Sequence, residues 1–259
     1  MKAIVCQDKE QALTLQEAPM PQAGPGEVVV KIKAAAFNHR DWWIQKGMYA
    51  GLRYPIILGS DGCGVVHAVH DHADSFWVGK EVIINPGMHW GNDPAFHAPT
   101  FKILGLPDDG TFAEYVKVPS SALYPKPAYL SHTAAAAIPL AGLTGYRALF
   151  TKGQVKKGSK VLITGIGGGV ALMVLQMAVA VGAEVYVTSS SDEKINKAIQ
   201  LGAKLGINYT ISGWHKLFQS ATDGFDVIID SAAGDGFKHF VDLARPGGRI
   251  VFFGGTQGP

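Results

Sequence analysis

The sequence predicts an α/β protein in two parts, a β-rich module from Met1 to about Pro125 and a doubly wound parallel sheet from about Lys126 to Pro259. Three observations carry this. Short β-type runs punctuated by Gly and Pro fill the first part. Strands alternating with helices fill the second. Between a strand and a helix of that second part stands a turn built almost wholly of glycine.

In chain order, the first part offers KAIVCQ, EVVVKIKA, GCGVVHAV, KEVIINP and FAEYVKV as strands, with little helix among them. The stretch from Pro86 to Gly110 is long for a loop in a compact domain, and such loops serve as lids or as irregular cover. From Lys126 the pattern changes. The Ala-rich SHTAAAAIPLAGLTGYRALF reads as helix, and KVLITG, EVYVTS, KLGINY, FDVIID and GRIVFFG read as strands separated by helices. Five such strands require right-handed crossovers and hence a parallel sheet.

The glycine turn is the most informative stretch. In KVLITGIGGGVA an apolar strand stops at Gly165, Gly167, Gly168 and Gly169 and restarts as a helix at Val170. Glycines let the backbone turn tightly and approach a ligand, while the helix start offers free N–H groups and a positive dipole end, so a dinucleotide pyrophosphate fits there. A plain strand-to-helix turn is the alternative. The ordered strand (VLIT), helix (ALMVLQMAVAVG) and second strand (AEVYVT) favour the cofactor.

Composition narrows the classes. A chain of 259 residues with 47% hydrophobic and 17% charged residues has enough apolar material for two cores. The formal net charge of +2 comes without a Lys/Arg run, which argues against nucleic acid and membrane partners and favours a small neutral one. The N-terminus MKAIVCQDKE builds no apolar signal core and no window reaches transmembrane length, so cytoplasm is the expected compartment. Cys6 and Cys63 form no CxxC pair, so neither a disulfide framework nor a thiolate zinc lobe is expected.

Several motifs in series then carry a family resemblance. AAAFNHRDWWIQKGMY (Ala34 to Tyr49), LGSDGCGVV (Leu58 to Val66), DGTFAEYVKVP (Asp109 to Pro119), LAGLTGYRALF (Leu140 to Phe150), the glycine turn, LGAKLGINY, FDVIIDSAAG and GGRIVFFGGTQGP follow one another from end to end. The chain resembles the medium-chain dehydrogenase/reductase superfamily, and within it the zinc-free quinone and enoyl reductases of zeta-crystallin type. The resemblance implies a GroES-like β-barrel domain beside a Rossmann domain with the active site in a cleft between them. Chains of the family continue past the point corresponding to Pro259 with a strand that pairs subunits, which implies a homodimer where that part is present.

Zinc alcohol dehydrogenases of the superfamily place a cysteine and a His-Glu pair at the cleft, since a catalytic zinc takes about three protein ligands and keeps an open position. In this chain Asn38 stands at the cysteine's place and Ser60 and Asp61 at the His-Glu place, so no metal is expected. His67, His70, Asp71 and His72 follow GCGVV at a surface turn, where solvated histidines are the expectation.

Reducing a quinone or a double bond conjugated to a carbonyl needs a hydride, polarisation of the oxygen and a proton donor. The family places an Asn and a Tyr near the nicotinamide, which Asn38 and Tyr49 match, and Asp41 joins them as a candidate catalytic group. Asn38 with Asp41 also reads as a helix N-cap and its acid three residues on, and Tyr49 can equally close that helix after Gly47. Thr144 matches a position that touches the nicotinamide, or else bonds the preceding helical turn.

NAD-specific Rossmann domains hold the ribose with an acid at the end of the second strand, roughly 20 residues past the first glycine. This strand ends in Ser189, Ser190 and Ser191, the nearest later acid is Asp192 inside the next helix, and Lys194 follows. Hydroxyls and a lysine suit a 2′-phosphate, so NADPH is the expected cofactor. Ser190 and Glu193 also make a capping box on their own account. Asn208 and Tyr209 resemble a family pair beside the adenosine phosphate, and Phe253, Gly254 and Gly255 lie where the nicotinamide binds. The expectation is an NADPH-dependent, zinc-independent reductase of quinones or α,β-unsaturated carbonyls. Its rivals are a zinc alcohol dehydrogenase and a non-catalytic nucleotide-binding protein.

Overall fold

A computed structural model describes residues 1–256; the last three residues of the GGRIVFFGGTQGP motif lie outside them. The chain forms two compact units, Met1–Leu140 and Ala141–Pro259.

The first unit opens with β1 (Lys2–Cys6), β2 (Thr14–Glu17) and β3 (Glu27–Ala36), then α1 (His39–Gln45), β4 (Ile56–Ile57) and β5 (Asp61–Val69). It continues with β6 (Glu81–Ile84), β7 (Gly87–Met88), β8 (Lys102–Ile103), β9 (Tyr115–Pro119), β10 (Leu123–Pro125) and α2 (His132–Ala136). All five runs read from the sequence are strands. The main sheet, in the order β10-β6-β5-β3-β9 among the described residues, is antiparallel throughout. Alternation writes its inner face: Val116 and Val118 point inward from β9 and Lys117 outward, and Val28, Val30, Val66, Val82 and Ile84 complete the core. One glycine is forced by this packing. A Cβ on Gly64 would stand 2.2 Å from the Lys31 carbonyl oxygen, where Gly64 of β5 pairs with Ile32 of β3.

The long loop brings its own support. Met88 pairs with Lys102 across the short β7–β8 ladder, and Trp90 meets the Phe101 ring at 4.9 Å, with His97 against Phe101 at 5.1 Å. The first unit runs on past Pro125 because Ala135 and Ala136 of α2 bury against Cys63 of β5.

The second unit begins within α3 (Pro139–Tyr146) and goes on through a π-helical turn over Arg147–Lys152. Its order is β11 (Lys160–Ile163), α4 (Gly169–Ala180), β12 (Glu184–Ser189), α5 (Asp192–Gln200), β13 (Leu205–Asn208), α6 (Trp214–Ala221), β14 (Phe225–Asp230), α7 (Lys238–Leu243) and β15 (Ala244–Phe252). The sheet runs β13-β12-β11-β14-β15 among the described residues, every pair parallel, as a doubly wound Rossmann sheet requires. Both faces are covered, which is why its strands read as near-continuous apolar runs. Val161, Ile163, Val185, Val187, Val227 and Ile229 fill one face with α4, and Leu162, Tyr186 and Ile228 the other with Phe218 of α6. Crossovers put every strand's C-terminal end at one edge of this sheet, and ligands of such sheets bind there.

One local expectation is corrected. The cap of α5 is Ser191, whose hydroxyl accepts the Lys194 N–H at 3.4 Å; Ser190 is exposed and Glu193 instead pairs with Lys197 one turn on. The strand runs on to Ser189, so the helix begins one residue later than a Ser190 cap requires.

Candidate active site

In the first unit the site is built at the start of α1. Asn38 has the extended backbone of an N-cap, and its N–H donates to the Asp41 carboxylate at 2.8 Å. With the Asn38 side chain toward the Asp41 N–H in return, this is the expected capping box. The Asn38 side chain also donates its amide N–H to Asp61 Oδ2 at 2.9 Å on β5. Asp41, buried, also accepts the Gly59 N–H at 3.3 Å, so both its oxygens are engaged by backbone and it positions rather than reaches out. Asp61 is buried too, with Oδ1 accepting the Leu140 N–H at 2.7 Å. Burial pushes its carboxyl up to about 6; the bonds from Asn38 and Leu140 pull the other way, and the Asp41 charge adds to the rise.

Between Asn38 and Asp41 lies Arg40, which sequence reasoning missed. Its side chain is only 7% exposed. Nη1 donates to Ser60 Oγ at 2.7 Å and to the Leu104 carbonyl at 2.8 Å, and Nη2 reaches the Leu106 carbonyl at 3.4 Å. The guanidinium carbon sits 5.1 Å from the centre of the Tyr49 ring. Tyr49, half-buried, packs against the cluster around Val5, Ile44 and Ile57, beyond the end of α1. Its hydroxyl has no partner among the described residues. The structure thus sets Ser60 and the Tyr49 ring against the buried Arg40 guanidinium and joins Asn38 to Asp41 and Asp61 beside it in the chain. The only sequence signal for Arg40 was an arginine in the first turn of an otherwise apolar-faced helix.

These donors do not fit zinc. The Asn38 amide offers an N–H to Asp61, the Ser60 hydroxyl lies between the Arg40 guanidinium and the Leu104 carbonyl, and a positive charge already stands beside them. Among the described residues no three His, Cys, Asp or Glu side chains gather as a metal-binding group. The histidine turn is dispersed: His67 meets the Tyr115 ring, His70 Nδ1 the Ala23 carbonyl, and Asp71 accepts the Gly26 N–H.

In the second unit the glycine turn sits at the C-terminal end of β11. Gly165 has φ +60°, and its N–H and that of Ile166 bond the hydroxyl and carbonyl of Thr188 on β12. Gly168 caps α4 without any side chain, so the N–H groups of Gly169 and Val170 are left for a ligand. A Cβ on Gly167 would lie 2.9 Å from Lys194 Nζ, which places the α5 ammonium directly over the turn. That pairing of an uncapped helix with an overlying cation fits a nucleotide's phosphates.

Around it, Ser189 is buried and its hydroxyl accepts the Ser191 N–H. Asn208 spends its amide on Asp192 at 2.9 Å and its carbonyl on Thr210, tying the end of β13 to the start of α5, while Tyr209 is exposed. Phe253 and Gly254 line an apolar pocket of about 820 Å³ with Ala233, Gly234, Phe237 and Phe252. Thr144 is half-buried in α3. A second residue that sequence reasoning missed is Asp230, fully buried at the end of β14. One oxygen accepts the Thr164 hydroxyl at 2.5 Å and the other the N–H groups of Ala232 and Ala233 at 3.2 and 2.7 Å, so one carboxylate holds the glycine turn to the pocket wall. Ala233 has φ +54°, unfavourable for a residue with a Cβ and held there by that bond.

Comparison with known proteins gives this architecture its place. The family model described as alcohol dehydrogenase GroES-like domain matches residues 24–128, and that described as zinc-binding dehydrogenase matches residues 169–259. The zinc-type alcohol dehydrogenase-like protein YogA of Leptosphaeria maculans is 38% identical over 95% of this chain and 74% of its own length. The acryloyl-coenzyme A reductase of Sulfurisphaera tokodaii is 32% identical over 99% of this chain and 78% of its own length. Among solved structures, an NAD-dependent alcohol dehydrogenase superposes with a TM-score of 0.91 at 37% identity, covering 100% of this chain and 79% of that one. The quinone oxidoreductase of Thermus thermophilus, solved alone and with NADPH, gives 0.81 at 29% identity, covering 100% and 75%. A GroES-like β domain, a Rossmann sheet with its glycine turn, and relatives matched along nearly the whole chain agree, and the chain belongs to the medium-chain dehydrogenase/reductase superfamily of oxidoreductases.

Proposed function

We propose that the chain is an NADPH-dependent, zinc-independent reductase of quinones or α,β-unsaturated carbonyls. The observation that carries this reading is the buried Arg40 guanidinium against Ser60, at the place where zinc enzymes of the superfamily hold a metal ligand. A second cation there would be repelled and would find no thiolate or imidazole. NADPH, when bound, supplies the hydride. Gly165, Gly167, Gly168, Gly169 and Val170 would hold its pyrophosphate, and Lys194 with Ser189 and Ser190 its 2′-phosphate. Thr144, Phe253 and Gly254 would adjoin the nicotinamide, and Asn208 and Tyr209 the adenosine end. Asn38 keeps a second amide N–H beyond the Asp61 bond to donate to the substrate oxygen, and the Tyr49 hydroxyl is free to hand over the proton. Asp41 keeps Asn38 in place from beneath. The names of two relatives, an acryloyl-coenzyme A reductase and a quinone oxidoreductase crystallised with NADPH, support the same chemistry.

The names of two others, zinc-type and NAD-dependent alcohol dehydrogenases, favour the rival reading. NADPH and NADH oxidation measured with benzoquinone, crotonaldehyde and hexanal, together with elemental analysis, separates the two. Turnover of quinone or enal with NADPH and no stoichiometric zinc is the expected result. Aldehyde reduction with NADH, lost when one tightly held zinc per chain is chelated, would overturn it. No turnover with any of them would leave a non-catalytic nucleotide-binding protein. We further propose, from the N-terminal sequence and the low net charge, a cytoplasmic protein acting on a small apolar substrate with no nucleic-acid or membrane partner, and, from the family resemblance, a homodimer where the C-terminal part of the family fold is present. Sizing chromatography of the full chain checks the assembly.

A further inference from the structure

We propose that Arg40 is a positioning residue of this site, fixing the Tyr49 ring against the segment that carries Leu104 and Leu106. The inference rests on the reductase reading above.

A guanidinium taken out of water is costly unless its charge and its donors are met. Arg40 is met incompletely. It makes no ion pair among the described residues; its terminal nitrogens find one hydroxyl and two carbonyls, and its Nε is left buried without a partner. A side chain required only to fill this space would be better served by Leu or Met. What the guanidinium adds is geometry. Its planar fork ties α1 to Ser60 ahead of β5 and to the carbonyls that follow β8. Its central carbon lies over the Tyr49 ring, 5.1 Å from the ring centre, where a cation is attracted by the ring's electron density. Tyr49 stands beyond the helix end and has no hydrogen bond to orient its hydroxyl. The ring contact with Arg40, backed by packing on the Val5–Ile57 cluster, therefore sets where that hydroxyl points.

A double-mutant cycle tests this. NADPH oxidation with crotonaldehyde is measured for the native protein, Arg40→Lys, Tyr49→Phe and the double variant. Lysine keeps the charge and loses the fork. Arg40→Lys is expected to lower kcat about tenfold while the KM for NADPH stays within about twofold. In the Tyr49→Phe background the same change is expected to cost less than about twofold, because the hydroxyl it positions is gone. An equal loss in both backgrounds, or a rise in NADPH KM that matches the fall in kcat, overturns the proposal. Thermal unfolding of Arg40→Lys, Tyr49→Leu and their double forms a second cycle that needs no turnover. Non-additive midpoint shifts support the hold of guanidinium on ring, and additive shifts overturn it. If Arg40→Lys does not fold, Arg40→Gln, which keeps an N–H donor for Ser60, takes its place in both cycles. A native protein without turnover on any substrate removes the reductase reading and the catalytic part of this proposal with it, and the unfolding cycle then decides the hold on the ring alone.

Discussion

Replacing Asp61 by Asn changes how the stability of the first unit depends on pH. The Asp61 side chain is 1% exposed, and burial, outweighing its bonds to Asn38 and Leu140, raises its folded carboxyl to about 6. In the unfolded chain a carboxyl of this kind titrates near 3.9. The folded state therefore binds this proton more tightly, so stability falls as pH rises from about 4 to about 6 and stays lowered above that. A rise of that size corresponds to about 3 kcal/mol. Asn is nearly the same shape and carries no charge. Its carbonyl can accept the Leu140 N–H, and the Asn38 amide can rotate to offer its carbonyl to the new NH2. The fixed cost of that exchange does not vary with pH. Urea unfolding followed through Trp42, Trp43, Trp77 and Trp90 of the first unit, at steps from about pH 4.5 to 7.5, measures the difference between parent and variant. Relative to the parent, the variant is expected to gain about 2 kcal/mol across that range. A difference that is constant with pH, or that moves against the variant as pH rises, refutes the assignment of Asp61 as a buried carboxyl held against its own desolvation.

Lys194→Ala should weaken NADPH binding by about ten- to a hundredfold and NADH binding by clearly less, since a charge-assisted contact to a phosphate is worth about 1.5–3 kcal/mol; isothermal titration with each cofactor reads the ratio, and equal losses reject the 2′-phosphate site. Tyr49→Phe should keep fold and NADPH affinity and lower enal turnover by about 10²–10⁴, with a smaller fall for a quinone, which accepts hydride more readily; parental enal rates would make Tyr49 structural. Gly64→Ala should destabilise the first unit by about 1–3 kcal/mol or more, because the new methyl meets the Lys31 carbonyl, a backbone atom that cannot step aside alone. Denaturant melts check this, and a neutral result would mean β3 and β5 can spread apart.

The architecture was legible because its signals are periodic. Five apolar runs with helices between them read as a parallel sheet with crossovers of one hand, while the strand order came from the structure. The short strands β4, β7 and β8 left no such trace, since two residues carry no period. The glycine turn was legible for a different reason: positive φ at Gly165 and an uncapped helix start leave few other residues possible. What the sequence hid is where polar side chains turn. Asn38 is an N-cap by backbone and still sends its amide to Asp61, 23 positions away. Nothing local separates that from an ordinary cap. Ser191 rather than Ser190 caps α5 because the strand before it holds its register one residue longer, a choice made by pairing with β13 through Ser189 and Asn208. Arg40 and Asp230 are the stronger cases. Each is a charged residue whose partners lie on other elements: Leu104 and Leu106 for the one, Thr164 for the other. Periodicity predicts which face of an element is buried, and a buried charge on that face reads as an exception. Its purpose appears only when the fold supplies the acceptors. Both exceptions fall at the candidate sites, where stability is given up to hold a geometry.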